Sequence, residues 1–143
     1  MSRSALIVLT MAFLAGCAGT KVRRYSDFDP SDKSITLAVG SESPLGEIKD
    51  GFAKRGYRVV VHHEGTRTTE QSLTTRLSEP EHRTRYRLFL RVLGHQELFA
   101  CTDEINFELS VIDQGNGSEV LTMTGLECGG EKVASKLFEA LKI

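Results

Sequence analysis

The order of local patterns predicts an α+β fold: a mixed, mostly antiparallel sheet of four to five strands with two helices on one face. Three observations carry that expectation. A β-rich run, an amphipathic helix and a second β-rich run follow one another over residues 34–61. Two longer segments, 85–93 and 104–113, then alternate apolar and polar residues with period two, and a third, 120–128, follows across a turn. An amphipathic helix closes the chain. The element order is therefore β-α-β-β-β-β or β-α-β-β-β, in each case with a C-terminal helix.

Each element has its own local reason. Ser34-Ile35-Thr36-Leu37-Ala38-Val39-Gly40 is rich in residues that suit a pleated surface and reads as the first strand. Ser43-Pro44 opens a helix, with serine as N-cap and proline at the first helical position. Leu45, Ile48 and Phe52 recur on one helical face, and Gly56 after Lys54-Arg55 is a stop signal. Tyr57 to Val61 is apolar enough for a strand buried on both faces. The short crossover allows these first two strands to be parallel neighbours. Residues 65–83 are rich in Thr, Glu and Arg, with Leu73 and Leu77 almost alone as apolar residues. A helix, a strand and a flexible polar loop all fit that segment.

The segment 85–93 places Tyr86, Leu88, Leu90 and Val92 on one face and Arg85, Arg87, Phe89 and Arg91 on the other. In the next strand Ile105, Phe107, Leu109 and Val111 point inward. Gly115-Asn116-Gly117 is a strong hairpin turn, and Val120 to Cys128 returns as the last strand. After Gly129-Gly130, a helix from Glu131 to Ile143 presents Val133, Leu137, Phe138 and Leu141 on its apolar side.

The start of the chain has a different character. Arg3 leads an apolar core from Ala5 to Phe13, and Leu14-Ala15-Gly16-Cys17 ends it. That core is too short to span a bilayer as a helix, which needs roughly 20 residues. Its layout is that of a secretory signal. Leu14-Ala15-Gly16-Cys17 resembles the lipobox of bacterial lipoproteins. The resemblance implies that residues 1–16 are removed and that Cys17 carries a diacylglyceryl thioether and an N-acyl chain such as palmitate. More than one chain makes such an anchor firm. Ala18 stands where an aspartate commonly retains lipoproteins at the inner membrane, which implies the periplasmic face of an outer membrane. Residues 17–33 are polar, of both charge signs, and end in Asp29-Pro30-Ser31-Asp32. They read as a lipidated tether reaching roughly 50 Å at about 3.3 Å per residue. Residues 34–143 then form one periplasmic domain.

With Cys17 assigned to lipid, Cys101 and Cys128 remain, and an even pair in an oxidising envelope reads as one disulfide. A turn near Gly115 sets the two opposite each other at the open end of the hairpin, both facing the core. Such a bridge contributes roughly 3–4 kcal/mol in the chain-entropy model. Two buried free thiols are the alternative. The net charge of −1 leaves no global field toward nucleic acid, which the compartment also disfavours.

The mature region resembles in layout a group of small envelope domains, the TolB amino-terminal type and the lipoprotein activators of penicillin-binding proteins. The pieces that carry the likeness are Gly51-Phe52 to Gly56 with Arg58-Val59-Val60-Val61, and Tyr86-Arg87-Leu88-Phe89-Leu90. Phe107 to Asp113 with Gly117-Ser118-Glu119-Val120 is the third. The short tether departs from the long one of the cell-wall synthase activators, and the resemblance transfers no functional residue.

Chemistry-bearing constellations are sparse. His62 and Glu64 share one side of a strand end, but zinc needs three or four converging ligands, and only His82 and His95 are further histidines. No GxSxG elbow is present, and Asp103-Glu104 lies beside the expected disulfide rather than in a cleft. An enzyme, a metal, a cofactor or a small-molecule substrate is therefore not expected. Arg83, Arg85, Arg87 and Arg91 form a cationic row. It could hold an anionic partner, or be matched across the strands, with Arg91 facing Glu108 and His95 facing Glu104. Phe89, Leu93, Ile112, Leu121 and Met123 fall on the side opposite the aliphatic core, where they are either covered or form a patch for a protein contact.

These observations point to an envelope lipoprotein that acts without catalysis, by protein–protein contact, as scaffold, adaptor or activator. Cys17 is its membrane anchor, and Phe89, Leu121, Met123, Arg87 and Arg91 are the contact residues. The alternative is a periplasmic inhibitor or immunity lipoprotein that blocks a toxin or lysozyme-like enzyme through the 65–83 loop.

Overall fold

A computed structural model describes residues 19–62, 84–98 and 101–143, and among these residues it forms six strands and two helices. They are β1 (Lys21–Arg24), β2 (Ser34–Ala38), α1 (Leu45–Lys54), β3 (Arg58–His62), β4 (Tyr86–Leu98), β5 (Cys101–Asp113), β6 (Ser118–Cys128) and α2 (Gly130–Leu141). The strands form one sheet in the order β1-β6-β5-β4-β2-β3. β2 runs parallel to β3 and β4, and the other pairs are antiparallel. The class is the expected α+β, with one strand more than anticipated. No helix among the described residues is long and apolar enough to cross a membrane.

Both helices lie on one face. Ile35 and Leu37 of β2, Tyr86 and Leu88 of β4, and Ile105, Phe107, Leu109 and Val111 of β5 meet Ile48 and Phe52 of α1 and Val133, Leu137, Phe138 and Leu141 of α2. The helices touch where the Phe52 and Phe138 rings pack edge to face, 5.0 Å between centroids. Gly51 makes that approach possible, because a Cβ there would collide with the Phe138 ring. At the end of α1, the Gly56 N–H donates to the Ala53 carbonyl and the Tyr57 N–H to that of Phe52, with Gly56 at φ +78°. This is the Schellman stop that the glycine predicted.

The structure corrects several local expectations. Ser43 does not cap α1; the helix begins after Pro44, and no side chain caps it. The Gly46 N–H is instead taken by the Glu42 carbonyl. β3 is an edge strand, with Val61 44% exposed, because the sheet ends there rather than continuing on both sides. The segment read as a tether contributes β1, which pairs with β6. Lys-Val-Arg-Arg is exposed throughout, so no hydrophobic period announces it; the open backbone of β6 provides its partner. Beyond β1, Phe28 stacks on Tyr86 at 4.3 Å and the Tyr57 hydroxyl meets the Pro30 carbonyl at 3.5 Å. Much of the segment read as a tether is therefore packed against the domain.

The last hairpin departs most. β5 pairs Ile112 with Glu119 but Val111 with Leu121, so Val120 is an extra residue on β6. Its carbonyl accepts the N–H groups of Tyr25 and Ser26. From the bulge onward the strand's faces are exchanged. Leu121 and Met123, expected on the open face, are 1% and 0% exposed beneath the helices. The cysteines also change register: Cys128 lies opposite Glu104, and Cys101 opposite Leu98. They are joined by a disulfide all the same, their Cα atoms 5.7 Å apart, and both are half-buried.

Candidate functional site

The face of the sheet away from the helices carries the candidate site. Alternation along β4 brings Arg87, Phe89 and Arg91 to that face, while Leu88 and Leu90 turn toward the core. Ala38 of β2, His62 of β3 and Glu108 and Ser110 of β5 complete a shallow groove of about 320 Å³. Phe89 is its exposed apolar element, at 40%. The Arg87 guanidinium lies 4.6 Å from the centre of the Phe89 ring, a cation–π contact between neighbours on this face. Arg91 stands directly opposite Glu108, as the strand pairing predicted. Such a cross-strand pair contributes about 0.2–1 kcal/mol. The site thus offers two arginines around a ring, with one carboxylate at the side.

Of the five expected contact residues, the structure brings Arg87, Phe89 and Arg91 together and withdraws Leu121 and Met123 into the core. Leu93 is exposed but further along β4, where it is the extra residue of a second bulge, between Val92 and Gly94. That bulge also shifts His95 away from Glu104: its Nδ1 meets Asp103 Oδ1 at 3.0 Å, and Gln96 takes the place opposite Glu104. His62 lines the groove, whereas His63, Glu64, His82, Arg83 and the 65–83 loop lie outside the described residues, as does Cys17. Among the described residues no three potential metal ligands converge.

Arg85 is not part of the open row. Its Nε donates to Asp113 Oδ2 at 3.1 Å and its Nη1 to Asp29 Oδ2 at 2.6 Å. Sequence reasoning missed this clamp because Asp29 lay in the supposed tether. Hydrogen bonds from Ser31 and Arg85 hold the Asp29 carboxyl below its ordinary value of 3.8. A depressed folded-state value contributes stability that is present above 3.8 and is lost as pH falls below it. The urea midpoint should therefore decline in that acid range, and Asp29→Asn should flatten the decline. An unchanged acid limb in Asp29→Asn would show that the clamp does not couple to folding. Burial raises Tyr57 and Tyr86 above the usual phenol value of 10.0, so both stay neutral donors or acceptors. The Tyr86 hydroxyl oxygen accepts the Asp29 N–H at 2.9 Å.

Fold and site together define a small α+β domain with helices on one face and an arginine-flanked phenylalanine on the other. No protein-family model matches the chain, and no curated protein matches it. A solved PelC dodecamer from Paraburkholderia phytofirmans shares the fold, with a TM-score of 0.54 at 10% identity over 86% of this chain and 98% of that one. A variant PelC dodecamer from the same organism aligns with a TM-score of 0.47 at 16% identity, covering 86% and 97%. A PDZ domain protein from Parabacteroides distasonis aligns with a TM-score of 0.40 at 10% identity, covering 96% of this chain and 39% of that one.

Proposed function

We propose that this protein is a lipid-anchored envelope protein that acts by non-catalytic contact with another envelope protein, as scaffold, adaptor or activator. The lipobox-like Leu14-Ala15-Gly16-Cys17 supports the anchor, and Ala18 in place of a retaining aspartate supports the periplasmic face of the outer membrane. The observation that carries the contact role is Phe89, exposed between Arg87 and Arg91 on the sheet face away from the two described helices. Aromatic and arginine side chains dominate protein contact energies because they bring large apolar area with planar donors. The chemistry favours a partner surface that pairs an apolar pocket with carboxylates. A second reading, favoured by the shared fold of PelC, itself a dodecamer, makes the partner another copy of this chain.

The test is capture from detergent-solubilised envelope with the lipidated protein as bait, beside a Phe89→Ser/Arg91→Glu variant. Both substitutions are at exposed positions, so the fold should persist. Losing two central contacts should reduce capture about tenfold or more. Equal capture by both baits would sink the assignment of this face. Light scattering on the purified protein separates the two readings, since self-assembly gives an oligomer that the variant reduces to monomer.

A further inference from the structure

We infer that the outer edge of β1 accepts an added β-strand from a partner protein, a strand in which acidic and apolar residues alternate. This surface is separate from Phe89, which lies on β4. β1 ends the sheet on one side, pairs with β6 alone and is exposed along its whole length. Its backbone has a definite phase. The Tyr25 N–H donates to the Val120 carbonyl at 2.9 Å. Antiparallel pairing alternates from there, so Arg23 and Lys21 direct their backbone groups to β6, and the N–H and C=O of Val22 and Arg24 point outward. Among the described residues no strand pairs with them.

The side chains define what that strand must carry. Val22 and Arg24 stand opposite Met123 and Leu121, both core residues, and so belong to the helix side of the sheet. There Val22, 43% exposed, and Ala140 of α2 line a groove of about 510 Å³ that suits an apolar side chain. The cations at this groove are engaged, Lys136 with Glu127 and Arg24 with the Glu139 carbonyl at 3.3 Å. On the other side Lys21 and Arg23 stand opposite Thr124 and Thr122, which are neutral. Among the described residues neither cation makes an ion pair. An added strand places residues directly opposite these two, where opposite charges attract and like charges repel. The fitting sequence is therefore acid, apolar, acid against Lys21, Val22 and Arg23.

Charge also decides which strand is refused. Lysine and arginine on an edge oppose pairing with a similar edge. Another copy of β1 would set cations against cations, and β3, the strand at the other edge, contains Arg58 and no acid. The partner is thus a different protein with an exposed acidic strand. Main-chain hydrogen bonds give such a contact its affinity, and alternate side chains give it specificity.

The test uses the full-length protein in detergent and short dye-labelled peptides of alternating glutamate and valine, with binding read by fluorescence anisotropy. The glutamate–valine peptide should bind about tenfold more tightly than its lysine–valine counterpart. Methylating its valine nitrogens, which face β1 in the inferred register, should weaken binding about tenfold. Methylating its glutamate nitrogens, which face away, should leave binding unchanged. Lys21→Glu/Arg23→Glu, at two exposed positions, should reverse the preference between the glutamate and lysine peptides. Equal binding of the two methylated forms would show attraction by charge without strand addition and overturn the inference. Equal binding of the glutamate and lysine peptides, or no binding of either, would overturn it too.

Discussion

Phe52→Ala should lower the free energy of unfolding by about 3–5 kcal/mol, the range for truncating a buried aromatic. The ring is fully buried and stands where α1, α2 and the sheet meet. It packs edge-on against Phe138 at 5.0 Å and against Tyr57 at 5.3 Å. Its removal leaves a void that neither neighbour can fill easily. Tyr57 is held by its hydroxyl at Pro30, and the guanidinium of Arg55 lies over the Phe138 ring at 4.0 Å. The backbone beside it is equally committed, since Gly51 already lets the Phe138 ring rest on the helix. Urea denaturation measures the effect as a lower midpoint at unchanged slope. A loss below about 1 kcal/mol would mean that the helices repack over the sheet, contrary to the close contact seen here.

Reduction of the Cys101–Cys128 disulfide should cost about 3.5 kcal/mol, the chain-entropy figure for a sequence separation of 27. The bridge closes a hairpin whose strands are already paired, so its main effect is on the unfolded chain. The Cys101→Ser/Cys128→Ser protein should therefore keep its native circular dichroism while its urea midpoint falls to that of the reduced wild type. If oxidised and reduced protein unfold at the same midpoint, the bridge does not restrict the unfolded ensemble and the prediction fails. In the sequence Phe52 is legible as one of a helical triplet, and the cysteines as an even pair that the turn near Gly115 brings together.

The open-face site was legible in part for a definable reason. Period-two alternation along β4 is uninterrupted from Tyr86 to Val92, so the common side of Arg87, Phe89 and Arg91 could be read directly. Arg91 opposite Glu108 followed from the same alternation. Leu121 and Met123 were misplaced because alternation carries no sign of a bulge: one extra residue, Val120, exchanges every later side chain of β6 between faces. His95 met Asp103 rather than Glu104 through the second bulge at Leu93. β1 and the Asp29–Arg85–Asp113 clamp were hidden for a different cause. They join segments far apart in the chain, and each of their residues is ordinary by itself.

What the sequence determined by itself is local: the α+β class, both helices, the strands around the hairpin turn and the lipobox-like start. These follow from backbone preferences and hydrophobic periods that act over a few residues. Only the tertiary structure decided which face β6 presents, that the supposed tether closes one edge of the sheet, and that Arg85 is clamped between two aspartates. Those outcomes depend on register and on pairing between distant segments. There, one bulged residue or one free strand edge outweighs any local pattern.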